Sequence, residues 1–341
     1  MIADLRSDTL TKPSKKMLNA MMNAEVGDDV FGEDPSINQL QKMMAEIFGL
    51  EDALFVPSGT MANQIAIKVH TQPGDEVICD KLSHIYNYEG GGIAFNSGAS
   101  VKLLDGRKGR FTAENLENAI LDDQTYLANS SLVVIENTVN KGGGSIWDIE
   151  EIKRIRKVCN KNKLGLHLDG ARLFNALVET GEKPIEYGQM FDSISICLSK
   201  GLGTPVGSVL IGSKEFIKKS LRVRKVFGGG MRQAGYLAAA GIYALNNNIQ
   251  LLKNDHERSR LIGKMLKKME VVTKILPIET NIIIFHLNPD MVSPASFLEK
   301  LEGKMVLAFP FGVDSVRFVT HLDFNDEHLN HLEEVLETIR F

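Results

Sequence analysis

The chain has 341 residues, 43% of them hydrophobic, and a formal net charge of −4 at pH 7. This composition is typical of a soluble globular protein, and the charge excludes the basic surface of a nucleic-acid-binding domain. The N-terminus lacks a secretory signal, and no apolar run approaches the ~20 residues that a membrane span needs. We expect a cytoplasmic protein that binds neither membranes nor nucleic acid.

Along the first 250 residues, short apolar runs alternate with longer amphipathic stretches. The predicted strands are residues 54–56, 76–79, 132–135, 164–168, 193–198 and 208–211. The predicted helices between them are residues 60–70, 148–161, 215–226 and 232–246. Such alternation predicts an α/β fold with an open, largely parallel sheet covered on both faces.

The pattern changes after three consecutive asparagines at 246–248. A helix at 257–268, a strand at 282–286, another helix, two short strands and a final helix indicate a smaller α+β unit. We therefore predict two domains: residues 1–250, an N-terminal segment and a large domain, and residues 251–341, a small C-terminal domain.

The three cysteines, Cys79, Cys159 and Cys197, are widely and irregularly spaced. The spacing excludes a full disulfide framework and provides no CxxC pair for a metal ion. Each lies among aliphatic residues or in a helical pattern, so we expect buried, unreactive thiols and no metal site.

In open α/β sheets, ligands bind beyond the carboxyl ends of the strands. The residues that follow the predicted strands there include Ser58, Gly59, Thr60, His84, Asp169, Arg172 and Lys200. The small residues at 58–60 begin a helix, where free amide groups and hydroxyls attract an anion. An ordinary helix cap at Ser58 or Thr60 is an equal alternative.

Asp169 ends an apolar strand, and Arg172 follows three residues later. An ionised carboxylate there can keep a heterocyclic nitrogen protonated, which converts a pyridine ring into an electron sink. Arg172 would then lie beside the phenolic oxygen of the ring. The alternative is a carboxylate that caps the next helix.

Lys200 directly follows a strand, among serine and glycine. Most lysines are solvated, but small apolar surroundings favour loss of the ammonium proton and make the amine a nucleophile. The run at 201–207 reads GxGxxxG, contains Pro205 and precedes a strand. This excludes a nicotinamide or flavin fingerprint.

Two further residues complete the pattern. His84 stands alone, and a lone histidine is more often a cap or a packed core residue than a catalyst. Arg317 lies inside an apolar strand, where its best-matched partner is a carboxylate bound through two hydrogen bonds. The order of these residues matches the aspartate-aminotransferase-like (fold type I) enzymes that use pyridoxal-5′-phosphate (PLP).

A closer resemblance runs nearly end to end. It is carried by the segments 4–9, 27–35, 55–63, 169–172, 197–208, 228–235 and 316–321. On these motifs the chain resembles the threonine aldolases, a branch of the same PLP enzymes that is grouped with the β-eliminating lyases. The resemblance implies a large PLP-binding domain with a mostly parallel seven-stranded sheet and a small α+β domain.

The resemblance also implies the roles of individual residues in PLP binding. Lys200 would carry PLP as a Schiff base, Asp169 would pair with the pyridine nitrogen, and Arg172 would lie near the phenolic oxygen. His84 would stack on the ring near the substrate hydroxyl. The turn Ser58, Gly59 and Thr60 would bind the phosphate, and Lys225 and Arg232 would reach the phosphate of a neighbouring subunit in a homodimer or homotetramer.

For the substrate, the resemblance implies that Ser7 and Arg317 hold the carboxylate of an amino acid. Tyr88 and Tyr126 are further candidates for substrate contacts. Tyr126 stands where many family members have a second histidine, and Phe31 and Val139 also depart from the family pattern. These changes leave the PLP residues intact and concern the preference between threonine diastereomers.

The expected reaction is retro-aldol cleavage of L-threonine or L-allo-threonine to glycine and acetaldehyde. One alternative is β-elimination or racemisation on the same fold, with Tyr88 or Tyr126 as the acid that protonates the leaving group. Another is a non-catalytic protein, against which the joint presence of Lys200, Asp169 and Arg317 argues.

Overall fold

The computed structural model describes residues 1–340. Its strands are β1 (Ala3–Asp4), β2 (Asp52–Val56), β3 (Asp75–Asp80), β4 (Ser100–Leu104), β5 (Asn129–Glu136), β6 (Gly165–Asp169), β7 (Ser193–Cys197), β8 (Ser208–Gly212), β9 (Val272–Ile275), β10 (Ile282–Leu287), β11 (Val306–Leu307), β12 (Phe309–Pro310) and β13 (Ser315–Val319). Its helices are α1 (Lys15–Met22), α2 (Pro35–Phe48), α3 (Gly59–His70), α4 (His84–Asn87), α5 (Ala113–Glu117), α6 (Ile149–Asn162), α7 (Leu173–Thr180), α8 (Pro184–Met190), α9 (Lys214–Val226), α10 (Gly235–Asn247), α11 (Leu252–Leu266), α12 (Pro294–Glu302) and α13 (Asp326–Thr338).

The large sheet has seven strands in the order β2-β8-β7-β6-β5-β3-β4. Strand β8 runs antiparallel to both of its neighbours, and the remaining neighbours pair in parallel. This confirms the predicted α/β fold with a mostly parallel seven-stranded sheet. The sequence analysis missed β4, because this edge strand is mostly exposed and therefore has no apolar run.

Helices cover both faces of the large sheet, and β2 shows why. Ala53 and Phe55 belong to the main core, which also contains apolar side chains of α2, α6, α7 and α10. The alternating residues Leu54 and Val56 belong to a second cluster with side chains of α3 and α9. Strands with two buried faces read as continuous apolar runs, which made them recognisable in the sequence.

The C-terminal region forms a separate antiparallel sheet in the order β12-β13-β10-β9. Its core also holds Ala3 and Leu5, because β1 pairs in parallel with β11. The N-terminal segment therefore packs against the C-terminal sheet. The boundary at residue 250 stays a prediction, and Phe341, the last residue of the predicted small domain, lies outside the described residues.

The three cysteines are free and buried, as the sequence predicted. Burial raises the pKa of the Cys79 and Cys159 thiols to about 12. No helix within residues 1–340 is both long enough and apolar enough to cross a lipid bilayer.

A buried carboxyl in α11 lies outside any pattern that the sequence analysis used. Asp255 is 0% exposed, and neither of its carboxyl oxygens has a hydrogen-bond partner in the described chain. The nearest cation is Arg258, with Nη1 3.9 Å from Asp255 Oδ1. Burial outweighs this cation and raises the pKa of Asp255 to about 8, so the carboxyl is neutral at pH 7.

We expect Asp255→Asn to stabilise the protein at pH 7. The unfolded carboxyl ionises at about pH 4, whereas the folded one stays neutral up to about pH 8. Stability is therefore full below pH 4 and falls as the pH rises between these values. Urea unfolding should give a gain of about 4 kcal/mol at pH 7 and little change at pH 4.

The control is Asp326→Asn, which removes an exposed carboxylate from the same Arg258 and should have little effect at either pH. An Asp255→Asn variant that is equally destabilised at both pH values would contradict this account.

Candidate active site

The candidate residues meet at one edge of the large sheet, because parallel strands end on the same side. Glu136 at the end of β5 is paired in register with Asp169 at the end of β6. His84 begins α4 just after β3, and Lys200 follows β7. The turn from β2 into α3 lies beside them, since a Cβ on Gly59 would come 2.5 Å from Cys197 Sγ.

The N-terminus of α3 has free hydrogen-bond donors. Ser58 Oγ accepts a hydrogen bond from the Met61 amide at 3.1 Å, so Ser58 caps the helix. Within residues 1–340, the amide groups of Gly59 and Thr60 donate no hydrogen bond. A 12-residue helix with two free amide groups and no acidic residue in its first turn presents a positive end to an anion.

Asp169 is buried and held by two donors. Its Oδ2 accepts from Asn63 Nδ2 at 3.0 Å, and its Oδ1 accepts from the Ala171 amide at 3.2 Å. The Asn63 amide cannot turn over without placing its oxygen against two carboxylates, because Nδ2 also donates to Glu89 Oε1 at 2.9 Å. The carboxylate at the end of β6 is therefore fixed in orientation.

His84 belongs to a hydrogen-bonded group of acids. His84 Nδ1 lies 3.0 Å from Oε1 of the buried Glu89. Burial lowers the pKa of His84, but the hydrogen bond to Glu89 and the charges of Asp169, Glu89 and Glu136 together raise it above its ordinary value. The Tyr88 ring lies beside the imidazole, with the ring centroids 5.5 Å apart.

Glu136 binds the backbone of His84 at the start of α4. Its Oε2 accepts from the His84 amide at 2.7 Å, and its Oε1 accepts from the Asn140 amide at 2.8 Å. Burial and the charge of Asp169 raise the pKa of Glu136 to about 7. This carboxyl therefore fixes the start of α4 through the two backbone amide groups.

Donor atoms of His84, Glu89 and Asp169 lie within 4.8 Å of one another, a spacing that could hold a metal ion. Asn63 Nδ2 donates to Glu89 Oε1 at 2.9 Å and to Asp169 Oδ2 at 3.0 Å. An amide donor thus already bridges the two carboxylates. The arrangement fits two hydrogen-bonded acids rather than a set of metal ligands.

Arg172 forms a buried ion pair with Asp8. Its Nε and Nη2 donate to the two carboxylate oxygens, each at 2.7 Å. Burial would raise the pKa of Asp8, but Arg172, Lys200 and the Asn281 amide lower it to about 2. Lys200 is thus close enough to act on this pair, and it lines a small cavity with Arg172.

Arg317 is a mostly buried cation that no carboxylate neutralises within residues 1–340. Its Nη1 donates to Asn140 Oδ1 at 3.0 Å and its Nη2 to the Arg6 carbonyl at 3.3 Å, while Nε–H has no partner. Ser7 follows Arg6 and caps the short helix Asp8–Leu10. An arginine with a free donor next to a serine hydroxyl is suited to an incoming carboxylate.

The single chain does not bring three of the predicted residues to this edge. Tyr126 is 81% exposed and precedes β5, so it lies at the opposite end of an eight-residue strand, roughly 26 Å away. Arg232 pairs with Asp28 at 2.8 Å, and within residues 1–340 neither Arg232 nor Lys225 has a hydrogen bond to residues 58–60. Their roles, which the resemblance places across a subunit interface, stay predictions.

The sequence analysis placed Glu136 after a predicted strand but assigned no role to it, nor to three other residues of this group, Asp8, Asn63 and Glu89. A signal for one of them was present, since Asn63 lies in the buried face of α3, where a polar side chain needs a partner. Glu89 and Asp8 had no such signal, because only the tertiary fold brings them to the strand ends.

We expect Asp8→Asn to destabilise the protein, since it leaves the buried Arg172 without a counter-charge, at a cost of about 3–5 kcal/mol. The unfolded carboxyl has a pKa of about 4, and the folded one about 2. The stabilisation by the carboxylate is therefore full above pH 4 and disappears as the pH falls to 2. Urea unfolding at pH 7 and at pH 3 measures both effects.

The matched control is Asp4→Asn, which removes the partner of Arg6 in a more exposed pair and should cost under about 1 kcal/mol. Equal losses in the two variants would show that the buried pair has no special role.

Comparison with known proteins identifies the family of the chain. The sequence profile of the β-eliminating lyase family matches residues 4–288. The low specificity L-threonine aldolase of Escherichia coli strain K12 is 41% identical over 327 residues, which cover 96% of each chain. Low-specificity L-threonine aldolase 1 of Arabidopsis thaliana is 40% identical, over 93% of this chain and 90% of that protein.

The fold is shared with a solved structure of threonine aldolase from Leishmania major. That structure matches with a TM-score of 0.85 at 22% identity and covers 98% of each chain. On the family profile and the sequence relatives together, the chain belongs to the β-eliminating lyase family, in its threonine aldolase group.

Proposed function

We propose that this protein is a PLP-dependent aldehyde-lyase. It cleaves L-threonine, L-allo-threonine and similar β-hydroxy-α-amino acids to glycine and an aldehyde. The observation that carries the proposal is the meeting of Lys200, Asp169 and His84 at one sheet edge, near an arginine with no carboxylate partner. The names of the relatives support this substrate class.

The residues at the edge fit PLP. Gly59 and Thr60 would bind the phosphate through their free amide groups, and Ser58 shapes the turn. Asp169 would meet the ring nitrogen, His84 would lie against the ring, and Lys200 would provide the amine that holds the aldehyde carbon. When bound, PLP supplies an electron sink for the bond that breaks at Cα.

Arg317 would bind the substrate carboxylate. Its free Nε–H and the second hydrogen on each Nη leave a planar fork available for two parallel hydrogen bonds. Ser7 would donate a third hydrogen bond through its hydroxyl. These contacts would fix the rotation of the amino acid about its N–Cα bond, and so decide which bond at Cα is broken.

His84 would accept the proton of the β-hydroxyl as the Cα–Cβ bond breaks. Its Nδ1 faces Glu89, and Nε2 makes no hydrogen bond within residues 1–340. The neighbouring acids hold its pKa above the ordinary value, which favours uptake of the proton by the imidazole. The released carbonyl compound is the aldehyde product.

The proposal extends to assembly and location. A homodimer or homotetramer in the cytoplasm would let Lys225, Arg232 and Tyr126 of a neighbouring subunit complete the site. The half-exposed Arg232 and the 72% exposed Phe31, which lie against each other with the guanidinium 5.8 Å from the ring centroid, support a surface that contacts another subunit.

We expect Lys200→Ala to fold normally and to release no measurable acetaldehyde from either threonine diastereomer, because the amine that holds PLP is absent. The control is Lys267→Ala, at an exposed lysine of the C-terminal region, which should keep wild-type activity. Release of 2-oxobutanoate and ammonia by the wild type, with no acetaldehyde, would favour β-elimination with Tyr88 as the acid.

We expect Arg317→Lys to raise KM for L-threonine and to lower kcat/KM roughly 10- to 100-fold, since charged hydrogen bonds contribute about 1.5–3 kcal/mol. PLP retention should not change. Arg6→Lys is the matched control, because the Arg6 guanidinium pairs with Asp4 instead. An unchanged KM in Arg317→Lys would place the substrate carboxylate elsewhere.

A further inference from the structure

Glu89 lies at the centre of a hydrogen-bonded group that the proposed chemistry does not yet use. Its side chain is 0% exposed. Oε1 faces His84 Nδ1 at 3.0 Å and accepts from Asn63 Nδ2 at 2.9 Å, while Oε2 accepts from Gln64 Nε2 at 2.7 Å. Three nitrogen atoms therefore surround a buried carboxyl that sits five residues after the candidate base.

The hydrogen-bond donors around Glu89 indicate that its carboxyl group is ionised. Asn63 and Gln64 contribute amide N–H groups, which need acceptors, and the Asn63 amide is held in this orientation because Nδ2 also donates to Asp169. An ionised carboxylate accepts hydrogen bonds through both oxygens and donates none. The contact at His84 Nδ1 then requires that the imidazole provide the hydrogen, whether the ring is neutral or protonated.

We propose that Glu89 is a positioning residue that fixes the orientation and tautomer of His84, so that Nδ1 carries the hydrogen and Nε2 is free to accept the substrate proton. This inference rests on the proposed function for the identity of the proton donor, the β-hydroxyl group. The arrangement of carboxylate, imidazole and proton donor is the one that orients a histidine base in other enzymes.

Among residues 1–340, no other charged group near His84 can serve this purpose. Glu136 bonds the backbone amides of His84 and Asn140, and Asp169 bonds Asn63 and Ala171. The Tyr88 ring packs against the imidazole without a hydrogen bond to it. Asp169 and Glu136 contribute charge to His84, but Glu89 alone contacts a ring nitrogen.

The same carboxylate joins the base to the acid of the cofactor site. Asn63 Nδ2 donates to both Glu89 and Asp169. A change at Glu89 would therefore affect His84 directly, and Asp169 through Asn63.

The test uses the full chain labelled with 15N-histidine and follows the imidazole signals through a pH titration. The chain has eight histidines, and His84→Asn identifies the His84 signals by their loss. The wild type should show the Nδ1–H tautomer of neutral His84. In Glu89→Gln the pKa of His84 should fall by roughly 1–3 units, the effect of a nearby opposite charge.

Kinetics provide a second measurement. In Glu89→Gln the acid limb of the pH profile of kcat/KM should move to lower pH by the same amount. The limiting kcat should fall roughly 10-fold, because a weaker base transfers the proton less well. A purely structural role for Glu89 would lower activity without moving the pH profile.

The matched control is Glu179→Gln. Glu179 Oε2 lies 3.0 Å from His256 Nδ1, the same geometry in a pair outside the site. This variant should shift the His256 signals and leave the His84 signals and the cleavage rate unchanged.

An Nε2–H tautomer of His84 in the wild type would overturn the proposal, even if Glu89→Gln fails to fold. A folded Glu89→Gln with an unchanged pKa of His84 would also overturn it. Absence of aldehyde release from the wild type would overturn the proposed function, whereas the ring signals decide the role of Glu89.

Discussion

The buried ion pair between Asp8 and Arg172 joins three distant parts of the chain. Arg172 belongs to the turn after β6, Asp8 to the N-terminal segment, and Asn281, which donates to Asp8 at 3.2 Å, to the C-terminal region next to β10. Two charges removed from water are tolerated only because each satisfies the other. The pair holds the N-terminal segment, which includes Ser7, against the turn that follows β6.

The acids and bases at this edge are arranged in two groups. Glu89, Asp169 and Glu136 surround His84 and raise its pKa despite burial. Arg172, Lys200 and Arg317 lie near Asp8, which forms its ion pair with Arg172. Burial of Arg317 near Arg172 lowers the pKa of its guanidinium. A substrate carboxylate would offset the positive charge of Arg317, and His84, surrounded by its three acids, would take up the proton of the substrate hydroxyl.

Much of the fold was predictable, because buried strands read as apolar runs and end in small or polar residues. The positions of Lys200, Asp169 and His84 at or just beyond strand ends were predictable for the same reason, whereas their roles stay predictions. Glu89 and Asp8 were not predictable in this way. The partner of Asp8, Arg172, is distant in the sequence, and Glu89 meets His84 only through the local geometry of the short helix α4. For Tyr126 the prediction and the single chain differ. The resemblance assigns this residue to the site, but the single chain places it at the far end of β5.

The account depends most on Lys200 as the residue that holds the cofactor. The direct measurement is reduction of the PLP-loaded protein with borohydride, followed by digestion and mass analysis of the labelled peptide. The account predicts one cofactor-bearing peptide, which contains Lys200, and no label in Lys200→Ala. Stable labelling of a different lysine in the wild type would contradict it.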